Sequence, residues 1–227
     1  MSERTIGKCL YCSEMLTKGG MSKHLQTCKS RDSFFESIMN KDDTNVVFLI
    51  QISGGRDYWL FLEINSFSIL SDLDLFLRNI WLECCGHLSC FTINGIEYHS
   101  DKESVRDLGG VLMKAPLSRI LNPGLVFEHE YDFGTTTHLL LKVIEARHGK
   151  LKAGIKLVSR NQAPIFECNL CKAKATEICD ECKCEDRKYL FCKTCAKKHE
   201  CGDEMLFPIV NSPRVGQCGY TGNDEDD

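Results

Sequence analysis

The sequence predicts an α+β fold in which a central mixed sheet carries one long packed helix, with small cysteine-rich modules at both termini. Two observations support this prediction. Residues 44–162 contain several strand-like runs and one helical run. The 15 cysteines are concentrated elsewhere, because three lie in the first 28 residues and nine lie after residue 167. A chain of 227 residues can bury one sizeable core and still form small satellite modules.

Strand-like runs of apolar or alternating residues define the predicted sheet. VVFLIQI and YWLFLEI, within residues 46–64, lie on either side of a GGRD turn and predict a β-hairpin. A short strand pair is expected around Asn94-Gly95. Residues 125–133 alternate between apolar and polar side chains, and residues 138–146 follow as their hairpin partner. A last strand is expected at 153–159.

The helical run extends from Ser71 to Cys84. Apolar side chains recur along it at helical spacing, namely Leu73, Phe76, Leu77, Ile80, Trp81 and Cys84. Ser71 and Asp74 stand three residues apart at its start, which is a capping arrangement. We therefore expect one long helix that packs across a face of the sheet.

The N-terminal cysteines have the spacing of a metal site. Cys9 and Cys12 form a C-x-x-C pair, and His24 and Cys28 stand four residues apart on one side of a helix. Two thiolates from a turn and two ligands from a helix can converge tetrahedrally on one zinc ion. A 30-residue segment buries little apolar surface alone, so we expect zinc to supply most of its stability.

This N-terminal segment resembles a zinc finger of the two-Cys, His-Cys type. By that resemblance Thr17, Gly20 and Lys23 occupy the base-reading positions of the helix, where they offer little for reading base edges. Residues 1–30 hold five Lys/Arg and two Asp/Glu, a formal charge of +3, which a site of three thiolates and one histidine lowers to about +2. Phosphate contact through lysines such as Lys18 is the alternative to simple solvation.

The C-terminal cysteines are denser and also form C-x-x-C pairs. Eight ligands suit two tetrahedral zinc ions, and alternate pairing of the motifs would interleave them. On this interpretation the first ion is held by Cys168, Cys171, Cys192 and Cys195. The second ion is held by Cys179, Cys182, His199 and Cys201, with Cys218 or Cys184 as the alternative to Cys201. The layout resembles the cross-braced B-box and MYND modules, which are mainly protein-binding.

Charge sets the C-terminal module apart from a nucleic-acid-binding surface. Residues 164–227 hold nine Lys/Arg and 13 Asp/Glu, a formal charge of −4. Two zinc sites with these thiolates would lower the charge to about −7. A polyanion should therefore avoid this module.

Three further cysteines, Cys84, Cys85 and Cys90, accompany His87 around the predicted end of the helix. We expect them to be buried thiols, because free cysteine is among the most buried residue types. The alternative is a further metal site or a Cys-His nucleophile.

The middle of the chain resembles the plasmid pRiA4b open-reading-frame-three-like family over residues 45–150. EYDFG at Glu130–Gly134, followed by an apolar strand, carries the resemblance. The resemblance implies a compact α+β domain without an established activity. Many family members have an acidic residue and a Trp after this string, whereas this chain has threonine at 135–137.

A hydrolase that uses the Asp132/His138 region is the catalytic alternative. Glu128, Glu130 and Asp132 share one strand face, and His138 begins the next strand. Alternation explains these residues without chemistry, with His129 as a hydrogen-bonded core histidine. The sequence has no glycine-rich phosphate loop, G-x-S-x-G or H-E-x-x-H motif. It therefore favours a protein that is not an enzyme.

The predicted domains are a zinc finger at 1–30, the α+β core at 44–162, a cysteine-rich double-zinc module at 165–220 and an acidic tail at 221–227. No signal peptide or membrane span is recognisable, so we expect a cytoplasmic protein in which C-x-x-C pairs bind metal rather than form disulfides. We expect about three zinc ions and a protein-interaction or adaptor function with a protein partner. Nucleic-acid association through the finger is the first alternative, and the sequence defines no oligomeric state.

Overall fold

The computed structural model describes residues 5–39 and 44–222, and the chain divides into two compact units. The sheet unit comprises the residues up to Leu77 together with Leu88–Gln162. The cysteine-rich unit comprises Arg78–His87 and the residues from Ala163 onwards. Residues 78–87 therefore belong with the C-terminal cysteines, although they lie within the predicted core domain at 44–162. Of the predicted acidic tail, residues 223–227 lie outside the described residues.

The N-terminal module opens the sheet unit with an antiparallel ribbon and two helices. These elements are β1 (Ile6–Lys8), β2 (Met15–Thr17), α1 (Lys18–Leu25) and α2 (Lys29–Ile38). Thr17 caps α1, because its side-chain oxygen accepts a hydrogen bond from the backbone N–H of Gly20.

An eight-stranded mixed sheet forms the rest of the sheet unit. Its strands are β3 (Val46–Gly54), β4 (Tyr58–Asn65), β5 (Ser89–Ile93), β6 (Ile96–His99), β7 (Val111–Leu112), β8 (Val126–Tyr131), β9 (Thr137–His148) and β10 (Ile155–Arg160). They lie in the order β10-β4-β3-β9-β8-β5-β6-β7. Three helices connect them, namely α3 (Leu70–Leu77), α4 (Lys102–Leu108) and α5 (Leu117–Ile120).

The predicted hairpins are confirmed. β3 pairs with β4, β5 with β6 and β8 with β9, each antiparallel. At Asn94 and Gly95 the φ angles are 51° and 78°, which are the left-handed conformations that a two-residue type I′ turn requires. The predicted last strand, β10, pairs with β4 at the sheet edge. The sheet is mixed because β7 runs parallel to β6.

Strand β4 is buried at all eight of its positions, on both faces of the sheet. On one face the N-terminal module covers it, since Trp59 packs in one cluster with Met21 and Leu25 of α1. Gly7 of β1 allows close approach to the sheet, because a Cβ there would meet the carbonyl oxygen of Arg160. Apolar burial against the sheet therefore adds to the stability of the finger. The expectation that zinc supplies most of this stability did not include that contribution.

A buried ion-pair network holds α2 against the same face. Arg31 and Glu63 are both fully buried, and the Arg31 guanidinium donates to Glu63 at 2.6 Å and to Glu145 of β9 at 2.9 Å. It also donates to the carbonyl oxygen of Leu25 at 2.7 Å. The Tyr11 hydroxyl donates to the second Glu63 oxygen at 2.5 Å. Burial and the nearby Glu63 charge raise the pKa of Tyr11 well above its ordinary range, so this hydroxyl remains a donor.

The predicted long helix is wrong in length and regularity. α3 has eight residues, and the next five, Arg78–Leu82, form a π-helical turn. Together they make 13 residues that end before Cys84, and the described residues contain no longer helix. The backbone N–H of Glu83 donates to the carbonyl of Arg78, which is the widened pattern of a π-helix.

The predicted Ser71/Asp74 cap is also wrong. The backbone N–H of Ile69 donates instead to Asp72 Oδ2 at 2.9 Å. Asp74 is buried, and its Oδ1 lies 2.7 Å from Nε2 of His129 on β8. A buried histidine without a polar partner costs more free energy than an exposed helix end without a cap. The Asp74 carboxylate therefore pairs with His129 rather than capping the helix.

The cysteine-rich unit is built on a three-stranded antiparallel sheet in which the first strand along the chain lies at the centre. Its elements are β11 (Glu177–Cys179), α6 (Asp180–Cys184), β12 (Leu190–Phe191), α7 (Lys193–Ala196) and β13 (Leu206–Pro208). One buried cluster consists of Cys179, Cys182, Phe191 and Ala196, two of which are predicted metal ligands. So small a core is typical of modules that a metal ion stabilises.

Candidate metal sites

Four groups of cysteine and histidine each bring four ligand atoms within 4.8 Å of one another. Three groups are the sets that the sequence predicts, namely Cys9, Cys12, His24 and Cys28; Cys168, Cys171, Cys192 and Cys195; and Cys179, Cys182, His199 and Cys201. The fourth group consists of Cys84, Cys85, His87 and Cys218. All 15 cysteines lie within the described residues, and none forms a disulfide.

The N-terminal group combines a tight turn with the end of α1. Nε2 of His24 lies 3.2 Å from Sγ of Cys12. Nδ1 of the same ring lies 3.1 Å from the Glu14 carboxylate, a partner that orients an imidazole for coordination through its other nitrogen. Burial raises the pKa of Cys9 to about 11. A bound cation would therefore be needed to keep this thiol ionised near neutral pH.

The first C-terminal group joins the two outer C-x-x-C motifs. The Sγ atoms of Cys171 and Cys192 lie 3.6 Å apart. Although burial acts to raise it, hydrogen bonds from the backbone N–H groups of Cys171 and Cys192 lower the pKa of Cys168 to about 6. Lys172 adopts a φ of 66°, which closes the turn after the first motif. The turn thus presents a thiolate that is ready for a metal ion.

The second C-terminal group interleaves with the first along the chain. The Cys182 sulfur lies 3.4 Å from His199 Nε2 and 3.6 Å from the Cys201 sulfur. Arg187 donates to the Cys201 sulfur at 3.5 Å. Of the three candidates for the last ligand, the structure brings Cys201 into this group and leaves the exposed Cys184 outside every group.

The fourth group is centred on Cys85. Its sulfur lies 3.4 Å from the sulfurs of Cys84 and Cys218 and 3.2 Å from Nε2 of His87. Hydrogen bonds to Cys84 and Cys218 raise the pKa of the Cys85 thiol to about 12. Like Cys9 in the N-terminal group, the Cys85 thiol would need a bound cation to ionise near neutral pH.

The expectation of buried thiols in this region is therefore wrong for two of three cysteines. Cys85 is exposed and Cys84 is half-buried, whereas Cys90 is buried on β5 and its burial raises its pKa to about 11. The sequence did contain a signal for the fourth group, because Cys218-Gly219 is a turn typical of zinc knuckles. That signal points to an alternative for Cys201, while the structure places Cys218 with Cys85.

Each group offers a closed set of four protein ligands. Three groups contain three thiols and one imidazole, and one contains four thiols. Such sets suit tetrahedral coordination and leave no open position for water or substrate. The arrangement supports structural metal sites rather than catalytic ones.

The residues considered for hydrolysis have other partners. His129 is the predicted core histidine, fully buried against Asp74. His138 is exposed and pairs with Glu130 at 3.1 Å. Asp132 lies beyond the end of β8 in a left-handed conformation with φ 65°, and it accepts a hydrogen bond from the N–H of Gly134. Its carboxylate thus stabilises a turn, not the solvent face of the strand on which the sequence places it.

The base-reading positions predicted for the finger have mixed environments. Thr17 is occupied as the helix cap, Gly20 is half-buried, and Lys23 is exposed. Nζ of Lys18 lies 3.4 Å from the hydroxyl of Ser53 on β3. One face of α1 is already committed to the sheet, which reduces the surface that it could present to a nucleic acid.

These features define an α+β protein with four candidate Cys/His metal sites. No family model matches the chain, and no curated protein matches it. Among solved structures it is similar to a protein of unknown function from Methanosarcina mazei Go1, with a TM-score of 0.42 and 12% identity over 52% of this chain and 68% of that chain. The resemblance to the plasmid family therefore rests on the EYDFG segment. None of the helices in the described residues has the length and apolarity needed to span a membrane.

Proposed function

We propose that this chain is a protein-interaction or adaptor protein whose terminal modules are held in shape by structural zinc. The observation that carries the proposal is the interleaving of two complete four-ligand sets in the cysteine-rich unit. Thiolate and imidazole ligands in four-coordinate sets are the usual donors to structural Zn²⁺. Because closed sets leave no position for a reacting water, recognition is favoured over hydrolysis.

The proposed contact surface includes the turn between Cys168 and Cys171. Leu170 at its tip is 55% exposed, and the nearby Ile165 is 76% exposed. A metal-fixed turn that displays large apolar side chains offers a partner rigid apolar area at little entropic cost. The formal charge of −4 on residues 164–227 favours a protein partner over a polyanion.

Partner capture with matched variants tests this proposal. The full-length chain, immobilised and exposed to extract of its native cell at about 300 mM salt, should retain a protein. An Ile165→Ser/Leu170→Ser double variant should retain at least roughly tenfold less of it, with unchanged zinc content. Leu108→Ser, which changes a residue that is 64% exposed in the sheet unit, is the control and should retain the partner. Failure of the wild-type chain to retain any protein would contradict the proposal.

Nucleic-acid association through the finger is the second candidate, favoured by the +3 formal charge of residues 1–30 and by exposed Lys23 and Lys29. It makes a different forecast, because phosphate contacts weaken by about one decade of affinity per decade of salt for each contact. Lys23→Ala/Lys29→Ala should reduce that salt dependence. A complex that is insensitive to both salt and these substitutions favours protein recognition.

A further inference from the structure

We infer that Cys84, Cys85, His87 and Cys218 form a fourth zinc site, which fastens the chain around Cys218 to residues 84–87 and exchanges its metal more readily than the other three sites. The inference goes beyond the proposed function, which requires only the sites that the sequence predicts.

The spacing of the four ligand atoms is close to that of a metal-binding tetrahedron. Zinc with S ligands at about 2.3 Å and N ligands at about 2.0 Å places tetrahedral neighbours about 3.5–3.8 Å apart. The distances around Cys85 are 3.2 and 3.4 Å. They match those in the predicted groups, which are 3.2–3.6 Å. A disulfide would need about 2.05 Å.

The backbone on both sides of this group adopts conformations that aim the ligands at one point. Gly86, between two of the ligands, has a φ of 73°. Cys218 has a φ of 52°, a left-handed conformation that is unfavourable for a residue with a Cβ, and Gly219 follows with 63°. Cys218 stands 131 residues from His87 in sequence. Here an unfavourable turn brings a thiol to a cysteine-histidine segment that is distant in sequence. A metal ion bound by both segments explains why the turn adopts this conformation.

Surrounding polar groups support the charge of a zinc site and the position of the segment. Three thiolates and one imidazole around Zn²⁺ carry a net charge of −1. The fully buried Arg214 donates from Nε to the Cys84 sulfur at 3.4 Å, which places a positive charge beside the site. Ser212 donates from its hydroxyl to the carbonyl of Trp81 at 2.6 Å. The chain before Cys218 is thus already bonded to the segment that supplies the other ligands.

Exposure distinguishes this site from the other three. Cys85 and Cys218 are exposed, and Cys84 is half-buried. Each predicted group contains at least one buried cysteine, for example Cys9 or Cys168. No cysteine of the fourth group is buried, whereas each other group keeps at least one ligand shielded from solvent. An incoming chelator can therefore approach the metal of the fourth group from more sides with less local opening of the fold. Faster exchange follows from this difference.

Metal counting on the full-length protein during chelator competition tests the inference. Native mass spectrometry should find four zinc ions per wild-type chain, one of which leaves at least roughly tenfold faster than the rest when EDTA is added. Cys218→Ser should hold three ions and lack the fast one, and hydrogen exchange at residues 212–220 should accelerate. Cys218→His, which supplies another zinc ligand, should restore the fourth ion.

Cys184→Ser is the matched control, because Cys184 is an exposed cysteine outside all four groups, and this variant should hold four ions. Three ions in both the wild type and Cys218→Ser would overturn this inference and leave the proposed function standing. A wild-type chain without any metal would overturn both. Equal release rates for all four ions would overturn the claim of ready exchange.

Discussion

Replacement of Glu63 by glutamine should destabilise the sheet unit strongly, although the side chain keeps its shape. Glu63 and Arg31 are both fully buried, and their side chains meet at 2.6 Å. The substitution leaves the Arg31 charge buried with one remaining carboxylate, Glu145, whose side chain is 21% exposed. The Tyr11 hydroxyl also loses its charged acceptor. Two donors, the Arg31 guanidinium and the Tyr11 hydroxyl, therefore lose a charged hydrogen-bond acceptor at the same time.

The structure sets the expected magnitude of this effect. Breaking a buried ion pair by removing one partner costs about 3–5 kcal/mol. Because Arg31 keeps Glu145 and the carbonyl of Leu25, we expect the lower end, about 3 kcal/mol. In a domain of this size that corresponds to a fall in Tm of about 6–12 °C.

Equilibrium urea unfolding followed by circular dichroism measures this free energy. The comparison variant is Arg31→Met/Glu63→Leu, which removes both buried charges and should be more stable than Glu63→Gln alone. Glu36→Gln, a change at an exposed side chain of α2, is the control and should cost less than about 0.5 kcal/mol. A loss below about 1 kcal/mol for Glu63→Gln would refute the role assigned to this network. Strict additivity of Arg31→Met and Glu63→Leu, each measured singly, in the double variant would refute it as well.

Three further outcomes are expected. Leu25→Ala should cost about 2–4 kcal/mol in urea unfolding while zinc content is unchanged, because Leu25 is fully buried against the sheet; a cost below about 1 kcal/mol would show that the finger does not depend on this packing. The folded-state pKa of Tyr11 is raised above its unfolded value of 10.0, so its contribution to stability is present below pH 10 and is lost as the pH rises further; Tyr11→Phe should remove that alkaline loss from the pH profile. Metal removal by excess chelator should unfold the cysteine-rich unit but leave the strand signal of the sheet unit in circular dichroism, and full retention of amide protection at Cys179–Phe191 would contradict this expectation.

Local patterns were sufficient to predict the hairpins and the interleaved ligand sets. The turn at Asn94-Gly95 requires left-handed conformations that these two residue types adopt readily, so its position could be predicted from two residues. The C-x-x-C spacing likewise fixes which sulfurs share a turn. Alternate pairing was an interpretation of the motif order that left the last ligand open, and the structure brings together the pairs that this interpretation assigns, with Cys201 as the last ligand.

Contacts between residues far apart in sequence account for what was missed. Asp74 has the spacing of a capping residue, but its partner is a histidine 55 positions away. The fourth ligand group depends on Cys218, 133 residues from Cys85, and no local spacing connects them. The two-sided burial of β4 had a signal in the uninterrupted apolar run from Tyr58 to Leu62, since a strand covered on both faces does not alternate. Only the fold identifies the finger as the covering element.

X-ray absorption at the zinc edge of the purified full-length protein tests most directly the claim that closed Cys/His sets hold metal. Thirteen sulfurs and three imidazole nitrogens shared among four ions predict an average first shell of about 3.25 S at about 2.3 Å and about 0.75 N at about 2.0 Å. The three predicted sites alone would give ten sulfurs and two nitrogens among three ions. A shell dominated by oxygen, or a purified protein that contains no zinc, would contradict the account.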